Sequence, residues 1–438
     1  MGDAGQRAAL PRRRLPEQQH RVQHRRQLQP RLLRQPRDRQ ADQRLDVRRR
    51  PQGPLGRGHR ARHRPARAVL PDAEHPGRLE EHAVGADRVV QGPAELPVHA
   101  GAMVLPRLII EPPGDVRVVA LGESAHNITE FYELKHRILR HLVEEHGFTA
   151  FVMESGFAEG LGVDAWLRGV PGNAADAAAG ADVAAVARDG ITYRFGEAAP
   201  MHRQLEWMRA AGVGFYGMDL PGSSTSPGPA VRVIAERTPG RDLRDLVRRS
   251  DLGGRTEAAV RWAAMPSAER DALLRDLRAL AVHAGSSPDA VVRRTAASLT
   301  AFLDEREPIG DSDPYPRDAF MADTVRWVLE REERVVVSAH NGHVQRTPLE
   351  GRPMMGALLD AALGPAMAVV GMTYRSGPVI RFVRRSARPF DCDVRLEMRD
   401  RGDPDEPGEG FDALVRLDHA DLVPGAFERL RAEFEEYR

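Results

Sequence analysis

Polar side chains that can do acid-base or metal chemistry follow five short apolar runs of this chain, at the point where each run ends. In chain order they are Glu123 and His126, Glu154, Asp219, the group His340, Asn341 and His343, and Thr373. The single lysine, Lys135, lies nine residues after His126. Imidazole and carboxylate groups held close together can transfer protons or bind a metal. The pattern therefore predicts a hydrolytic or metal-binding site assembled from distant parts of the chain.

Two chemistries fit these residue types. Glu123, His126, Glu154 and His340 could bind zinc, iron or manganese, although their spacing matches no compact signature such as His-Glu-x-x-His. Alternatively, an imidazole oriented by a carboxylate takes a proton from water, and a second histidine and a cation stabilise the oxyanion. The second chemistry hydrolyses an ester without a covalent intermediate.

Ser124 is a third candidate, because it follows an apolar run within Gly-Glu-Ser-Ala-His. A serine nucleophile at such a place normally lies in a Gly-x-Ser-x-Gly turn, where the last glycine permits the tight bend. In this chain that position is His126, and no acid-then-histidine pair follows in the expected order. We therefore interpret Ser124 as a neighbour of the site and not as its nucleophile.

The elements that must position these residues are strands and helices in alternation. From residue 106 onward, short apolar runs alternate with amphipathic segments, which is typical of an α/β fold with a mainly parallel central sheet flanked by helices. The predicted strands are Val116–Leu121, Ala150–Met153, Gly214–Gly217, Arg334–Ser338 and Ala366–Gly371. Ligands bind outside the carboxyl ends of parallel strands. The polar residues are therefore expected to line one cleft.

The segment after the first strand shows helical spacing of its apolar residues. We expect Asn127 to cap this helix, with Glu130 completing a capping box, and Gly147 to end it. The other histidines near it, which are His136, His141, His146 and His202, are predicted to be surface groups. Residues 225–310 contain only amphipathic helical patterns, so we predict a helical insertion, or lid, beside the sheet. After residue 385 we expect an acidic, glycine- and proline-rich loop and a final helix.

Composition excludes several classes of protein. The 438 residues are 41% apolar, which is enough for a sizeable core, and the single cysteine, Cys392, excludes an internal disulfide and a thiolate metal site. No apolar stretch of about 18 residues occurs, and the start of the chain lacks the apolar segment of a secretory signal. We expect a soluble, cytoplasmic monomer that does not associate with membranes.

The first quarter of the chain differs chemically from the rest. Residues 1–100 carry 22 arginines against 11 acidic residues, a net charge of +11, whereas the remainder carries −10. Residues 1–104 lack apolar periodicity and are predicted to be a disordered extension. A nucleic-acid-binding arm is disfavoured, because interleaved aromatic residues and binding motifs are missing. We interpret the segment as the translated upstream stretch of a GC-rich gene, with a start near Met103 and an α/β domain at residues 105–438.

Two stretches of the chain resemble the erythromycin esterase family. They are LGESAHNITEFYELKHRILRHLVEEHGFTAFVMESGF and RDAFMADTVRWVLEREERVVVSAHNGHVQR, supported by QLEWMRAAGVGFYGMDL and MGALLDAALGPAMAVVGMTY. The resemblance covers about residues 106–380, and the Gly-Glu-x-x-His and Ala-His-Asn-x-His pair is quite specific to it. Residues 1–104 have no counterpart, and residues 157–200 match least.

The resemblance implies hydrolysis of a macrolide lactone or another small-molecule ester by a histidine base, without a serine nucleophile. Carried onto this sequence, the base is His126, the supporting carboxylates are Glu123 and Glu154, and the second histidine pair is His340 and His343. We expect Lys135, which stands where the family often has arginine, to bind substrate together with Asn341 and Asp219. We expect no metal, no cofactor and no nucleic-acid partner, and we expect macrolide resistance as one role. The alternatives are a metal-dependent hydrolase using the same cluster and a non-catalytic ligand-binding or polysaccharide-biosynthesis relative.

Overall fold

The computed structural model describes residues 89–91, 108–112, 114–169, 182–306, 313–384, 394–400 and 410–436. Residues 1–104, which we predicted to be disordered, lie outside these ranges except for β1 (Val89–Gln91). Strand β1 pairs in antiparallel fashion with β2 (Leu108–Ile110). The loop predicted after residue 385 also falls almost entirely outside them.

Eight further strands are described along the chain. They are β3 (Val118–Leu121), β4 (Ala150–Gly156), β5 (Gly214–Asp219), β6 (Val335–Ser338), β7 (Met367–Ser376), β8 (Pro378–Arg384), β9 (Val394–Asp400) and β10 (Ala413–His419). Strands β8 and β9 form an antiparallel pair. The other six form one parallel sheet in the order β10-β7-β3-β6-β4-β5.

This sheet confirms the predicted fold class, and all five predicted strands are present. Their bounds differ most at β4, β5 and β7, which continue beyond the predicted apolar runs to Gly156, Asp219 and Ser376. Strand β10 was not predicted. It lies at an edge of the sheet and alternates buried with exposed residues, so it lacks the continuous apolar run of a strand that is buried on both faces.

Thirteen α-helices are described. They are α1 (Thr129–His146), α2 (Phe157–Leu167), α3 (Val183–Gly190), α4 (Ala199–Ala211), α5 (Gly228–Arg237), α6 (Arg244–Ser250), α7 (Arg255–Ala264), α8 (Ser267–Gly285), α9 (Ala290–Asp304), α10 (Pro316–Leu329), α11 (Asn341–Val344), α12 (Met355–Leu363) and α13 (Ala426–Glu436). Helices α5 to α9 occupy the predicted helical region. They share a core with Phe157 of α2 and Phe320 of α10, so this region packs directly against the helices of the sheet domain.

The start of α1 differs from the prediction. Asn127 does not cap the helix, because its backbone is left-handed (φ 60°) and its carbonyl accepts a hydrogen bond from the Val423 amide at 2.8 Å. The amide of Thr129 donates to the Asp421 carbonyl at 2.9 Å, and the Glu130 carboxylate accepts from the Asp421 amide at 2.9 Å. Tertiary contacts with the segment before α13 therefore replace the local capping box.

The end of α1 agrees with the prediction, since Gly147 adopts the left-handed conformation there (φ 68°). Among the described residues, none of the helices combines the length and apolar character needed to span a bilayer.

Candidate active site

The carboxyl ends of β3, β4, β5 and β6 meet along one edge of the sheet, and the predicted polar residues lie at the last positions of these strands or shortly after them. The register of β4 against β5 shifts between Met153 and Gly156, a local irregularity that surrounds Glu154. Gly122, directly after β3, lies against Asn341, and a Cβ at that position would collide with the Asn341 amide oxygen. The glycine of Gly-Glu-x-x-His therefore permits the close approach of the loops after β3 and β6.

His126 and Glu123 form a hydrogen-bonded pair. Glu123 Oε1 lies 2.7 Å from His126 Nδ1. An ionised carboxylate accepts the Nδ1 proton, and this leaves Nε2 as the proton-accepting nitrogen of the ring. The arrangement has the form of an oriented general base.

Lys135 contacts the other oxygen of the Glu123 carboxylate. Its ammonium donates to Glu123 Oε2 at 2.7 Å and to the Ser338 hydroxyl at 3.0 Å, and the residue is only 5% exposed. Burial by itself would raise the pKa of Glu123, but the charge of Lys135 and the contact with His126 lower that pKa to about 2. Glu123 is therefore ionised at neutral pH, as an orienting carboxylate must be.

Glu154 is held by a different set of groups. Its Oε2 accepts from the His340 amide at 2.8 Å, and its Oε1 accepts from Arg317 Nη2 at 2.8 Å. Burial acts to raise the pKa of Glu154, yet the charges of His343 and Arg317 outweigh burial and hold that pKa well below its usual range. The carboxylate thus joins the loop after β6 to the arginine while staying ionised.

Arg317, at the first turn of α10, bridges two carboxylates. Its Nε and Nη2 donate to the two oxygens of Asp219 at 2.8 and 2.7 Å, and Nη2 also donates to the Tyr193 hydroxyl at 2.8 Å. Asp219 is fully buried. Burial would lower the pKa of Arg317, but the charges of Asp219 and Glu154 reverse this and raise the pKa well above its usual value. Arg317 is therefore a permanent cation between two anions.

His343 lies behind Glu154. Its Nδ1 is 2.7 Å from Asp318 Oδ1, and its Nε2 is 3.5 Å from Glu154 Oε1. Burial would lower the pKa of His343, but the two carboxylates raise it. Its Nε2 also lies 3.3 Å from Arg317 Nη1, so two carboxylates and a guanidinium enclose the imidazole.

The His340 ring has the opposite tautomer to that of His126. The Gly342 amide donates to His340 Nδ1 at 3.1 Å, so Nδ1 is an acceptor and the ring proton lies on Nε2. Burial and the neighbouring His126 lower the pKa of His340 to about 4. At neutral pH this ring is a neutral hydrogen-bond donor. Its centroid lies 5.4 Å from that of His126.

A cavity of about 170 Å³ opens beside these two rings. Ser124 lies on its wall, as do His126 and His340. The rest of the lining is largely apolar or aromatic and includes Tyr193, Phe195, Val379, Ile380 and Leu430. Phe195 packs against His126 with ring centroids 5.0 Å apart. One imidazole that can accept a proton and one that can donate a hydrogen bond therefore meet on an apolar pocket.

The residues that we predicted to bind substrate all have protein partners. Asn341 donates to the Met372 carbonyl at 3.0 Å, which fastens the loop after β6 to β7. Lys135 and Asp219 are buried in the contacts given above. Thr373 is also buried, and its hydroxyl has no hydrogen-bond partner among the described residues.

Sequence reasoning missed Arg317, Asp318 and Tyr193. Arg317 and Asp318 begin a helix and do not follow a strand, so the strand-end rule could not find them. The one available signal was their position at the start of RDAFMADTVRW, within a stretch that already resembled a known family.

Comparison with known proteins decides the family. The sequence profile described as erythromycin esterase matches residues 143–394, which is more than half of the chain. The chain belongs to the erythromycin esterase family. Membership of this family supports a hydrolase. The matched range contains Glu154, Arg317 and His340, whereas Glu123 and His126 precede it.

Individual relatives agree with this family. Erythromycin esterase type II of Escherichia coli is 26% identical over 343 residues, which cover 68% of this chain and 77% of the relative. Erythromycin esterase type I of Escherichia coli is 22% identical over 287 residues, covering 58% and 67%. The crystal structure of a succinoglycan biosynthesis protein is similar in fold, with a TM-score of 0.50, 15% identity and coverage of 70% and 89%.

Proposed function

We propose that this chain hydrolyses an ester or lactone of a small molecule with water that His126 activates. The observation that carries the proposal is the 2.7 Å contact of His126 Nδ1 with Glu123, which leaves Nε2 as the proton acceptor of a ring that lines the cavity. Family membership supports the reaction class, because the two Escherichia coli relatives given above are named as esterases.

The reaction begins when His126 Nε2 removes a proton from a water molecule and the water oxygen attacks the ester carbonyl carbon. The carbonyl oxygen becomes an oxyanion, to which His340 Nε2–H donates a hydrogen bond. When the tetrahedral intermediate collapses, the bond to the alcohol oxygen breaks and His126 returns its proton to that oxygen. The products are a carboxylic acid and an alcohol. A base of this kind contributes about 10²- to 10⁴-fold to the rate.

The remaining polar residues have positioning roles in this proposal. Lys135 keeps Glu123 ionised, and Glu123 in turn fixes the tautomer of His126. Glu154 and Arg317 hold the loop that carries His340 through the 2.8 Å contacts at each end of the Glu154 carboxylate. Asn341, Asp219 and His343 act through these groups.

The arrangement of charges favours this mechanism over a metal-dependent hydrolase using the same residues. Arg317 supplies the positive charge between Glu154 and Asp219. In the described part of the cleft, no three acidic or imidazole groups bring ligand atoms within 4.8 Å of one another. The cleft is therefore built around protein cations.

The substrate class is an ester or lactone with an apolar portion, because Val379, Ile380 and Leu430 line the cavity beside His126. Macrolides are the first compounds to test, since the curated relatives are named for erythromycin. A role in macrolide resistance follows only if a macrolide is hydrolysed.

The test is mass spectrometry of macrolides and simpler lactones and esters after incubation with the full chain, with and without a strong chelator. We expect the mass gain of one water molecule for at least one compound, at equal rates in both conditions. Activity that requires added zinc or manganese would assign the cleft to the metal-dependent class. Tight binding of a panel compound without any hydrolysis would assign it to a binding protein.

A further inference from the structure

A second group of histidine and glutamate side chains lies at the other end of α1. We propose that Glu111, His141 and His146 bind a divalent transition metal, with zinc as the preferred ion. The inference is independent of the proposed hydrolase function, because it uses none of the residues of the cleft. In the described part of the chain, these are the acidic and imidazole groups whose ligand atoms converge as a metal site requires.

The distances carry the proposal. The two Nε2 atoms of His141 and His146 are 3.3 Å apart, and they lie 3.4 and 3.2 Å from the two oxygens of Glu111. In a tetrahedral zinc site with Zn–N bonds of about 2.0–2.1 Å, neighbouring ligand atoms are about 3.3 Å apart. An octahedral ion with similar bonds would bring adjacent ligands to about 2.9 Å. Each of the three distances therefore matches the spacing of neighbouring ligands in a tetrahedral site, with each ring facing its own oxygen of Glu111. One ligand atom from each of the three residues lies within 4.8 Å of the other two.

Hydrogen bonding alone does not satisfy this arrangement. If both imidazoles donate from Nε2 to Glu111, two N–H groups face each other across the 3.3 Å gap between the rings. If one ring instead accepts from the other, its Nε2 carries no proton for the carboxylate. A cation between the two Nε2 atoms and the Glu111 carboxylate removes this conflict, because each ligand then presents a lone pair to it.

The position of the group favours a cation as well. His146 is the last residue of α1, and the carboxyl end of a helix carries partial negative charge. Glu111 directly follows β2, so a bound ion would tie that strand to the end of α1. The helical rise places His141 about 18 Å along the helix axis from the start of α1, where the cleft lies. The site is thus separate from the chemistry proposed above and has a structural role.

The probe for this site is cobalt(II) alone, added to the full chain after removal of bound metals. Tetrahedral cobalt absorbs strongly in the visible range, and zinc should abolish that absorption by displacing it. We expect His141→Ala and Glu111→Gln each to weaken the cobalt signal at least about tenfold in affinity. Glu111 is 51% exposed, so its substitution leaves folding intact. The matched control is His283→Ala, an exposed helical histidine that should leave the signal unchanged.

A second readout separates this site from the cleft and from histidines elsewhere in the chain. Zinc should raise the thermal unfolding temperature of the wild-type protein and of His126→Ala, but not that of Glu111→Gln. Equal cobalt spectra and equal zinc shifts in the wild-type protein and in Glu111→Gln would overturn the proposal. Loss of the signal in His126→Ala with retention in Glu111→Gln would also overturn it and place the metal in the cleft.

Discussion

Two groups of histidine and glutamate residues lie at opposite ends of α1 in the described part of the chain, and they differ in the cations that face their carboxylates. In the cleft, Lys135 pairs with Glu123, and Arg317 pairs with Glu154 and Asp219. At the far end of the helix, Glu111 is met by two imidazoles. We therefore expect different chemistry from the same residue types. Protein cations neutralise the carboxylates of the first group, whereas the single carboxylate of the second group is contacted by imidazoles and is available to an ion.

The two groups also differ in how the protons of their imidazole rings are placed. In the cleft the tautomers of His126 and His340 are set, because a carboxylate accepts from His126 Nδ1 and a backbone amide donates to His340 Nδ1. At the far end of α1, the rings of His141 and His146 both contact the single carboxylate of Glu111. A set tautomer presents a defined nitrogen for proton transfer or hydrogen-bond donation, whereas a ring without a set tautomer can present a lone pair to a metal.

The largest effect is expected from removing the cation that the cleft depends on. Arg317→Met leaves Glu154 and Asp219 buried without a counter-charge, and a change of this kind costs about 3 kcal/mol or more of the free energy of unfolding. Urea unfolding measures it. Arg232→Met, which removes a solvent-exposed partner of Asp251, is the control and should shift the midpoint little. An equal, small shift in both variants would mean that the cleft does not depend on Arg317.

The next largest effect is expected on turnover, when the charge of Lys135 is removed. Lys135→Met leaves Glu123 without its cation, so the pKa of Glu123 rises and His126 loses its fixed partner. We expect kcat/KM to fall at least about tenfold. Lys135→Arg keeps the charge and should preserve turnover or improve it. If the Met and Arg variants are equally active, the charge at this position has no role in the reaction.

The protonation state of His340 gives a smaller effect, which is visible in pH dependence. Its pKa of about 4 lies below the ordinary histidine value of 6.5, so the unfolded chain binds the proton more readily. The contribution to stability is therefore present above about pH 6.5 and is lost as pH falls toward 4. Unfolding midpoints across this range should vary less with pH in His340→Gln than in the wild-type protein. A titration of the His340 ring by NMR that gives an ordinary pKa would contradict the assigned tautomer and burial.

The smallest effect is expected at Ser124. Ser124→Ala should leave kcat/KM unchanged within about twofold, because the proposed reaction forms no bond to the serine oxygen. A loss of about a hundredfold or more would make Ser124 the nucleophile and turn His126 into its base.

The sequence predicted the fold class and much of the cleft for one physical reason: parallel strands end at a common edge. Glu123, His126, Glu154 and His340 all follow buried apolar runs, so their convergence was predictable. Arg317 was not, because it begins a helix that reaches the cleft only through packing. The group at the end of α1 was missed as well. Glu111 lies thirty residues before His141, and only the packing of β2 beside α1 brings them together.

The measurement that tests the central claim most directly is kcat/KM of His126→Ala against the wild-type protein, on a substrate found in the hydrolysis panel and in the presence of a chelator. The account predicts a fall of about 10²- to 10⁴-fold with substrate binding retained, because the variant loses its base but keeps the cavity. Full activity in His126→Ala would contradict the account and move the chemistry away from this histidine.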